Sequence, residues 1–290
     1  AQAVRDAGGI AMERTDEEKK GKGYALEWMF KILADKRKSG QLYDAYIILD
    51  ADNVVNKEFL DEINSTMNEG HEIMQAYLGC KNPGDTWVSK CYSMAYWLSN
   101  SNYQNAHTRL GLSAQMGGTG MILRPSVLED IGWETGSLTE DLVLTTKYIL
   151  SKNRSCAWVH NARVNDEKPL KIKPSNVQRT RGMQGHVNAM FGYGGKLLIS
   201  SIRHLSLRQL DMFFYLLRPF LNVFMFAAYI IRLIILLVSP DSFFNISFLF
   251  SSNTALMLLA TYLLMQIYVL AQENYLHYVI WLPLQWIFTY

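Results

Sequence analysis

The feature that most constrains this chain is a change of composition near residue 205. From Leu205 to Tyr290 only Arg208, Arg218 and Arg232 are basic and only Asp211, Asp241 and Glu273 are acidic, whereas charge runs through everything before. Such a chain divides into a water-soluble part and a part suited to an apolar environment. Residues 213–238 form an apolar run long enough to span the roughly 30 Å hydrocarbon core, closed by the breaker Ser239-Pro240-Asp241. Residues 254–271 form a second run, and a third begins at 278 and reaches 290. A buried helical hairpin in a soluble protein is the competing reading. Arg218 is placed to snorkel to an interface, while Arg232 lies deeper and is tolerated only against protein, water or a headgroup. Lys196, Arg203, His204 and Arg208 cluster before the first run, and residues 239–253 hold no Lys or Arg. The positive-inside rule then puts the soluble part in the cytoplasm of an integral membrane protein, with residues 197–211 at the interface.

A hydrophobic content of 49% excludes a mostly disordered chain, and a net charge of +2 gives no global field for nucleic acid or an acidic polymer. Cys80, Cys91 and Cys156 are widely spaced and form no CxxC pair, so they read as free buried thiols rather than a disulfide framework or zinc knuckle. The chain opens on Ala1 without a charged-then-apolar leader and stops inside an apolar run, which reads as a fragment truncated at both ends.

Within the soluble part, Gly23 to Lys38 has helical periodicity, with Leu26, Met29, Phe30 and Leu33 on one face and the turn Ser39-Gly40 after it. Ala45-Tyr46-Ile47-Ile48-Leu49 then reads as a fully buried strand of a parallel sheet. Asp50-Ala51-Asp52-Asn53 lies just past its carboxyl end, where open α/β sheets bind ligands, and a helix follows from Lys57 to Asn68. Gly117-Gly118-Thr119-Gly120 is a turn entering a short strand, Met121-Ile122-Leu123. A second acidic turn, Thr139-Glu140-Asp141, opens another helix with Thr139 as its N-cap.

These turns hold the residues suited to chemistry. A diphosphate leaving group needs its charge neutralised, which a hard divalent cation held by one or two carboxylates accomplishes, and Asp50 and Asp52 suit that task. A solvated turn is the other reading of the same triplet. Inverting transfer also needs a carboxylate to take the proton of the attacking hydroxyl, and Asp141 is the candidate. Its alternative role, with Glu140, is to complement the helix dipole. Lys22, Arg179 and Arg181 are candidate phosphate partners.

In order along the chain, Gly21-Lys22-Gly23-Tyr24-Ala25-Leu26, Asp50-Ala51-Asp52, Thr139-Glu140-Asp141 and Gln178-Arg179-Thr180-Arg181 resemble the motifs of family 2 glycosyltransferases. That family includes cellulose, hyaluronan and chitin synthases and many bacterial exopolysaccharide synthases. The resemblance implies an α/β GT-A (Rossmann-like) catalytic domain over residues 1–200, followed by interfacial and transmembrane helices over 201–290. It implies inverting transfer of a hexose or N-acetylhexosamine from a UDP-sugar to a growing glycan, or in a single addition to a lipid-linked acceptor. Lys22 would contact the nucleotide, Asp50 and Asp52 would hold the diphosphate with Mg²⁺ or Mn²⁺, and Asp141 would be the general base. Gln178 and Arg181 would close over the pyrophosphate, with Arg179 beside them. Gly118, Thr119, Gly120, Glu140 and Gly182 would lie on the acceptor side.

Two departures from the family pattern stand out. The amino-terminal βαβ unit with its nucleobase-binding aspartate is missing, which also admits a noncatalytic membrane subunit that keeps the fold. Gly182 stands where processive members carry a Trp that stacks on the acceptor sugar, so short products or single additions are expected; a glycine there also suits a backbone that needs positive φ.

Overall fold

The computed structural model describes residues 1–238 and 252–289, with the side chain of Arg232 among those left out. The charge-poor segment 239–253 therefore falls almost wholly outside the described residues. A short helix, α1 (Gln2–Asp6), precedes α2 (Lys22–Lys38). Helix α2 opens after Gly21 at φ +118° and closes on Lys36, Arg37 and Lys38, whose charges complement the helix's carboxyl-terminal dipole. Its Leu26 and Phe30 pack on the core, with Phe30 between Tyr46 and Trp133.

Five strands form one mixed sheet: β1 (Tyr46–Ile48), β2 (Val54–Val55), β3 (Ile73–Cys80), β4 (Met121–Leu123) and β5 (Ala157–Asp166). Their spatial order is β1-β4-β3-β5-β2, and only β3 and β5 run parallel. The expectation of a fully buried parallel strand at residues 45–49 is therefore corrected. Strand β1 pairs antiparallel with β4 at the edge of the sheet, and Ile47 and Leu49 are exposed. An apolar run of five residues carries no information on pairing direction, which the partner supplied by the fold decides.

The central strand β3 shows how the core is built. Ile73 and Tyr77 face one cluster with Met121, Leu123, Leu144 and Tyr148, while Met74, Ala76 and Leu78 face another with Phe59, Ile63 and Val164. This is the two-residue period of a strand buried on both faces. Helix α3 (Phe59–Asn68) covers the second face. The first is covered by α4 (Trp87–Ser99), α6 (Pro125–Ile131) and α7 (Glu140–Lys152). A π-helical segment, Asn100–Asn105, joins α4 to the short α5 (Ala106–Arg109). Cys91 and Cys156 are buried, Cys80 is half-buried, and all three are free.

After β5 come two long helices, α8 (Ile172–His204) and α9 (Leu207–Val238), joined through Leu205 in the left-handed conformation at φ +48°. Phe191 meets Phe220 across them, so α9 folds back along α8. Leu207–Ala228 is the one stretch among the described residues long and apolar enough to cross a membrane; the apolar part of α10 (Ser252–Gln272), Leu256–Gln272, is shorter. The carboxyl end of α10 is tied to the sheet. Glu273 accepts hydrogen bonds from the Tyr77 hydroxyl (2.8 Å) and Arg163 (3.0 Å), and the next turn stacks Tyr275 on Trp97 (4.6 Å). A 3₁₀ turn (Leu276–Trp281) and α11 (Leu282–Thr289) then return to α4, burying Tyr278, Leu282 and Phe288.

Candidate active site

The acidic turn after β1 is held by its own side chains. The Asn53 N–H donates to the Asp50 carbonyl (3.0 Å), and the Asp50 N–H is shared between Asn53 Oδ1 (3.0 Å) and Thr119 Oγ1 (3.1 Å). The Thr119 hydroxyl donates to the same Asn53 oxygen, so Asn53 couples the acidic turn to the glycine loop. Lys22, at the first position of α2, reaches across to pair with the Asp50 carboxylate and donates to the Gly118 carbonyl (2.7 Å). Three sequence-distant segments thereby converge on Asp50.

The glycine loop is where glycine is required. Gly118 and Gly120 have φ of +80° and +60°, and a Cβ on Gly120 would lie 3.1 Å from Val164 and 3.2 Å from Ala76. Its backbone groups are met by Gln75, which is fully buried in β3. Gln75 Oε1 accepts from the Gly117 N–H, and its Nε2 donates to the Thr119 carbonyl, both at 2.9 Å. We expect Gln75→Leu, which keeps the volume, to strand both loop groups at a cost of roughly 1–3 kcal/mol each. A thermal melt should register that loss; an unchanged melt would remove Gln75 from this role.

Asp141 enters the same site from the start of α7. A Cβ placed on Gly118 would lie 3.4 Å from Asp141 Oδ2, and Oδ1 accepts from the Leu142 N–H at 2.8 Å. Burial raises the Asp141 carboxyl to about 6, and the neighbouring Glu140 charge adds to the rise; the Leu142 N–H and the Lys22 charge oppose it. Thr139 is the N-cap residue of α7 as expected, but its hydroxyl makes no cap bond and is buried without a partner among the described residues. The side chain is turned toward Gly185 of α8, where any Cβ would collide with it. Glu140 lies against Gly23 of α2, again where a Cβ would not fit.

The structure brings together Lys22, Asp50, Gly118, Thr119 and Asp141, with Asp52, Gly120 and Glu140 beside them. The Asp52 carboxylate accepts from Asn53 Nδ2 (3.1 Å), and its carbonyl accepts from Lys81 Nζ (2.8 Å). No group of three or more His, Cys, Asp or Glu side chains arranged for a metal occurs among the described residues. The carboxylates of Asp50 and Asp52 are hard oxygen donors of the kind that would fit a cation completed by diphosphate oxygens and water.

Gln178, Arg179 and Arg181 occupy a separate wall near the start of α8. Gln178 accepts from the Tyr92 hydroxyl (3.3 Å), Arg179 stands over the Phe288 ring (5.8 Å), and Arg181 is exposed beside Lys173. No hydrogen bond or ion pair joins these three to Asp50, Asp52 or Asp141 among the described residues. Gly182 lies inside α8 with no positive φ, and nothing stands within 4 Å of where its Cβ would be, so the positive-φ explanation for that glycine is set aside. Sequence reading assigned no role to Gln75, Asn53 or Lys81. The one signal for Gln75 was a polar residue interrupting the apolar run from Ile73 to Leu78.

An acidic turn, a glycine loop and a raised carboxyl thus meet at one end of an α/β sheet. Residues 46–289 match the family model described as glycosyl transferase family group 2, and the chain belongs to that family. No curated protein matches it in sequence. Lys22 lies outside the matched span, and only the fold connects it to Asp50.

Proposed function

We propose that this glycosyltransferase moves a hexose or N-acetylhexosamine from a UDP-sugar to a growing glycan, with inversion, at the cytoplasmic face of a membrane. The observation that carries the reading is the convergence of Lys22, Asp50, the glycine loop and Asp141. A carboxyl raised to about 6 is still mostly ionised at neutral pH and is a stronger base than an ordinary aspartate, as proton removal from a sugar hydroxyl requires. A Mg²⁺ or Mn²⁺ ion on Asp50 and Asp52 would neutralise the departing diphosphate. Lys22 already balances part of the Asp50 charge and holds the turn toward Gly118.

A glycan acceptor is supported by a cavity of about 400 Å³ bounded by α4, the π-helical segment and α9–α11. Tyr96, Tyr103 and Tyr262 line it with aromatic surface, and Asn102 adds an amide suited to sugar hydroxyls. Tyr96 also belongs to the catalytic side: burial raises its phenol, and the nearby charges of Asp166 and Asp141 raise it further. Membrane attachment rests on Leu207–Ala228 and on the exposed apolar residues Phe191, Ile202, Leu205 and Leu207 around the α8–α9 elbow.

Gly182 favours short products or a single addition to a lipid-linked acceptor, because the position has no ring to hold the acceptor between cycles. The test is product analysis of the full-length protein in membranes supplied with UDP-sugars. We expect short products from the native enzyme and longer ones from Gly182→Trp, since the helix interior accepts the residue and the space around it is open. Long polymer from native enzyme would refute the non-processive reading, and no transfer from any UDP-sugar would favour a noncatalytic subunit.

A further inference from the structure

We propose that Lys81 and Asn82 form a strap that sets α8 at a fixed distance from the acidic turn, making Asn82 a positioning residue for donor binding. The inference rests on the reading above that Gln178 and Arg181 close over the donor's pyrophosphate. Those side chains make no hydrogen bond or ion pair with the carboxylates among the described residues, so the register of the two walls is set through the backbone.

The connection begins where β3 ends. Cys80 is paired with Asp166 at the carboxyl ends of the sheet's one parallel strand pair, and the next two residues point in different directions. Lys81 Nζ donates to the Asp52 carbonyl, and the Lys81 N–H donates to the Asp166 carbonyl, both at 2.8 Å. Asn82 then uses both ends of its buried amide on one backbone residue. Its Oδ1 accepts from the Lys168 N–H (2.7 Å), and its Nδ2 donates to the Lys168 carbonyl (2.9 Å).

Lys168 is itself fixed. Its side chain is 2% exposed, pairs with Asp166 Oδ1 at 2.5 Å and stands 3.3 Å over the Tyr96 ring. Two residues further on, the Leu170 carbonyl accepts from Thr86 Oγ1 (3.1 Å), and α8 begins at Ile172. From there the rise of about 1.5 Å per residue carries any shift of Lys168 rigidly to Gln178 and Arg181. The Lys168–Asp166 pair and the Thr86 bond hold this loop to the sheet. The Asn82 amide adds register, because a paired donor and acceptor on one residue admit a single placement.

The test is UDP binding and transfer kinetics of the full-length protein, with a thermal melt for each variant. Asn82→Ala is expected to weaken UDP binding about tenfold with a much smaller loss of kcat at saturating donor, and to lower the melt as well, because the buried Lys168 N–H and carbonyl lose their partner. Asn82→Asp keeps the acceptor for the Lys168 N–H and loses the donor, so its loss should be intermediate. On an Arg181→Ala background, Asn82→Ala should add less than threefold, because the strap acts through α8. Fully additive losses, or a kcat at saturating donor that falls as far as affinity in both Asn82 variants, would overturn the strap. If Arg181→Ala weakens UDP binding while Asn82→Ala leaves it intact, the strap fails and the pyrophosphate reading stands. If Arg181→Ala has no effect on UDP, both fail together.

Discussion

Asp52→Asn in the intact enzyme is expected to abolish sugar transfer, and excess chelator should do the same to the native protein. The carboxylate sits in an exposed turn, where its one hydrogen bond comes from Asn53 and its backbone is anchored by Lys81. An amide preserves that shape and removes the negative charge and one hard oxygen ligand, so the loss would report charge rather than folding. Asp50→Asn should also be severely impaired but retain part of its donor binding. Its carboxylate is shared with Lys22, and the turn is held through the Asp50 N–H, which the substitution leaves in place. Full transfer in excess chelator would eliminate the metal role for both aspartates.

For Asp141→Asn we expect turnover to fall by roughly 10²- to 10⁴-fold, the usual size of a general-base contribution, while UDP binding stays close to native. The Asn oxygen can still accept the Leu142 N–H, so the first turn of α7 should remain capped. Burial lifts the carboxyl from 3.8 to about 6, which gives the pH dependence a definite sign. Below pH 6 the group is protonated and cannot accept a proton, so native kcat should rise through an apparent pKa near 6; the residual activity of the variant should lack that limb. Stability runs the other way. Ionisation is disfavoured in the folded state, so this group's contribution is largest below about pH 4 and is lost as pH rises through 6. Equal losses of binding and turnover would instead mark Asp141 as a structural cap.

Much of the candidate site was legible because turn chemistry is local. The positive φ of Gly118 and Gly120, the helix resuming at Phe59 after the acidic turn, and the acidic first turn of α7 follow from residue types within a few positions. The groups that join these pieces were not legible. Gln75 reads as an interruption in an apolar strand until the glycine loop is laid across it, and Asn82 has no evident partner until the segment after β5 brings Lys168 to it. The π-helical segment after α4 likewise lacks a local signal in Asn100-Ser101-Asn102-Tyr103-Gln104-Asn105.

The sequence by itself determined the division between a charged part and an apolar part, the places where the chain turns, and the family to which it belongs. Those properties follow from side-chain transfer energies and from the conformations a residue and its near neighbours allow. Only the tertiary structure decided that β1 pairs antiparallel at an edge, that Lys22 meets Asp50 and that burial raises the Asp141 carboxyl to about 6. Hydrogen-bond partners across a sheet and the burial of a carboxyl are set by segments tens of residues apart, and no local pattern encodes which of them will meet.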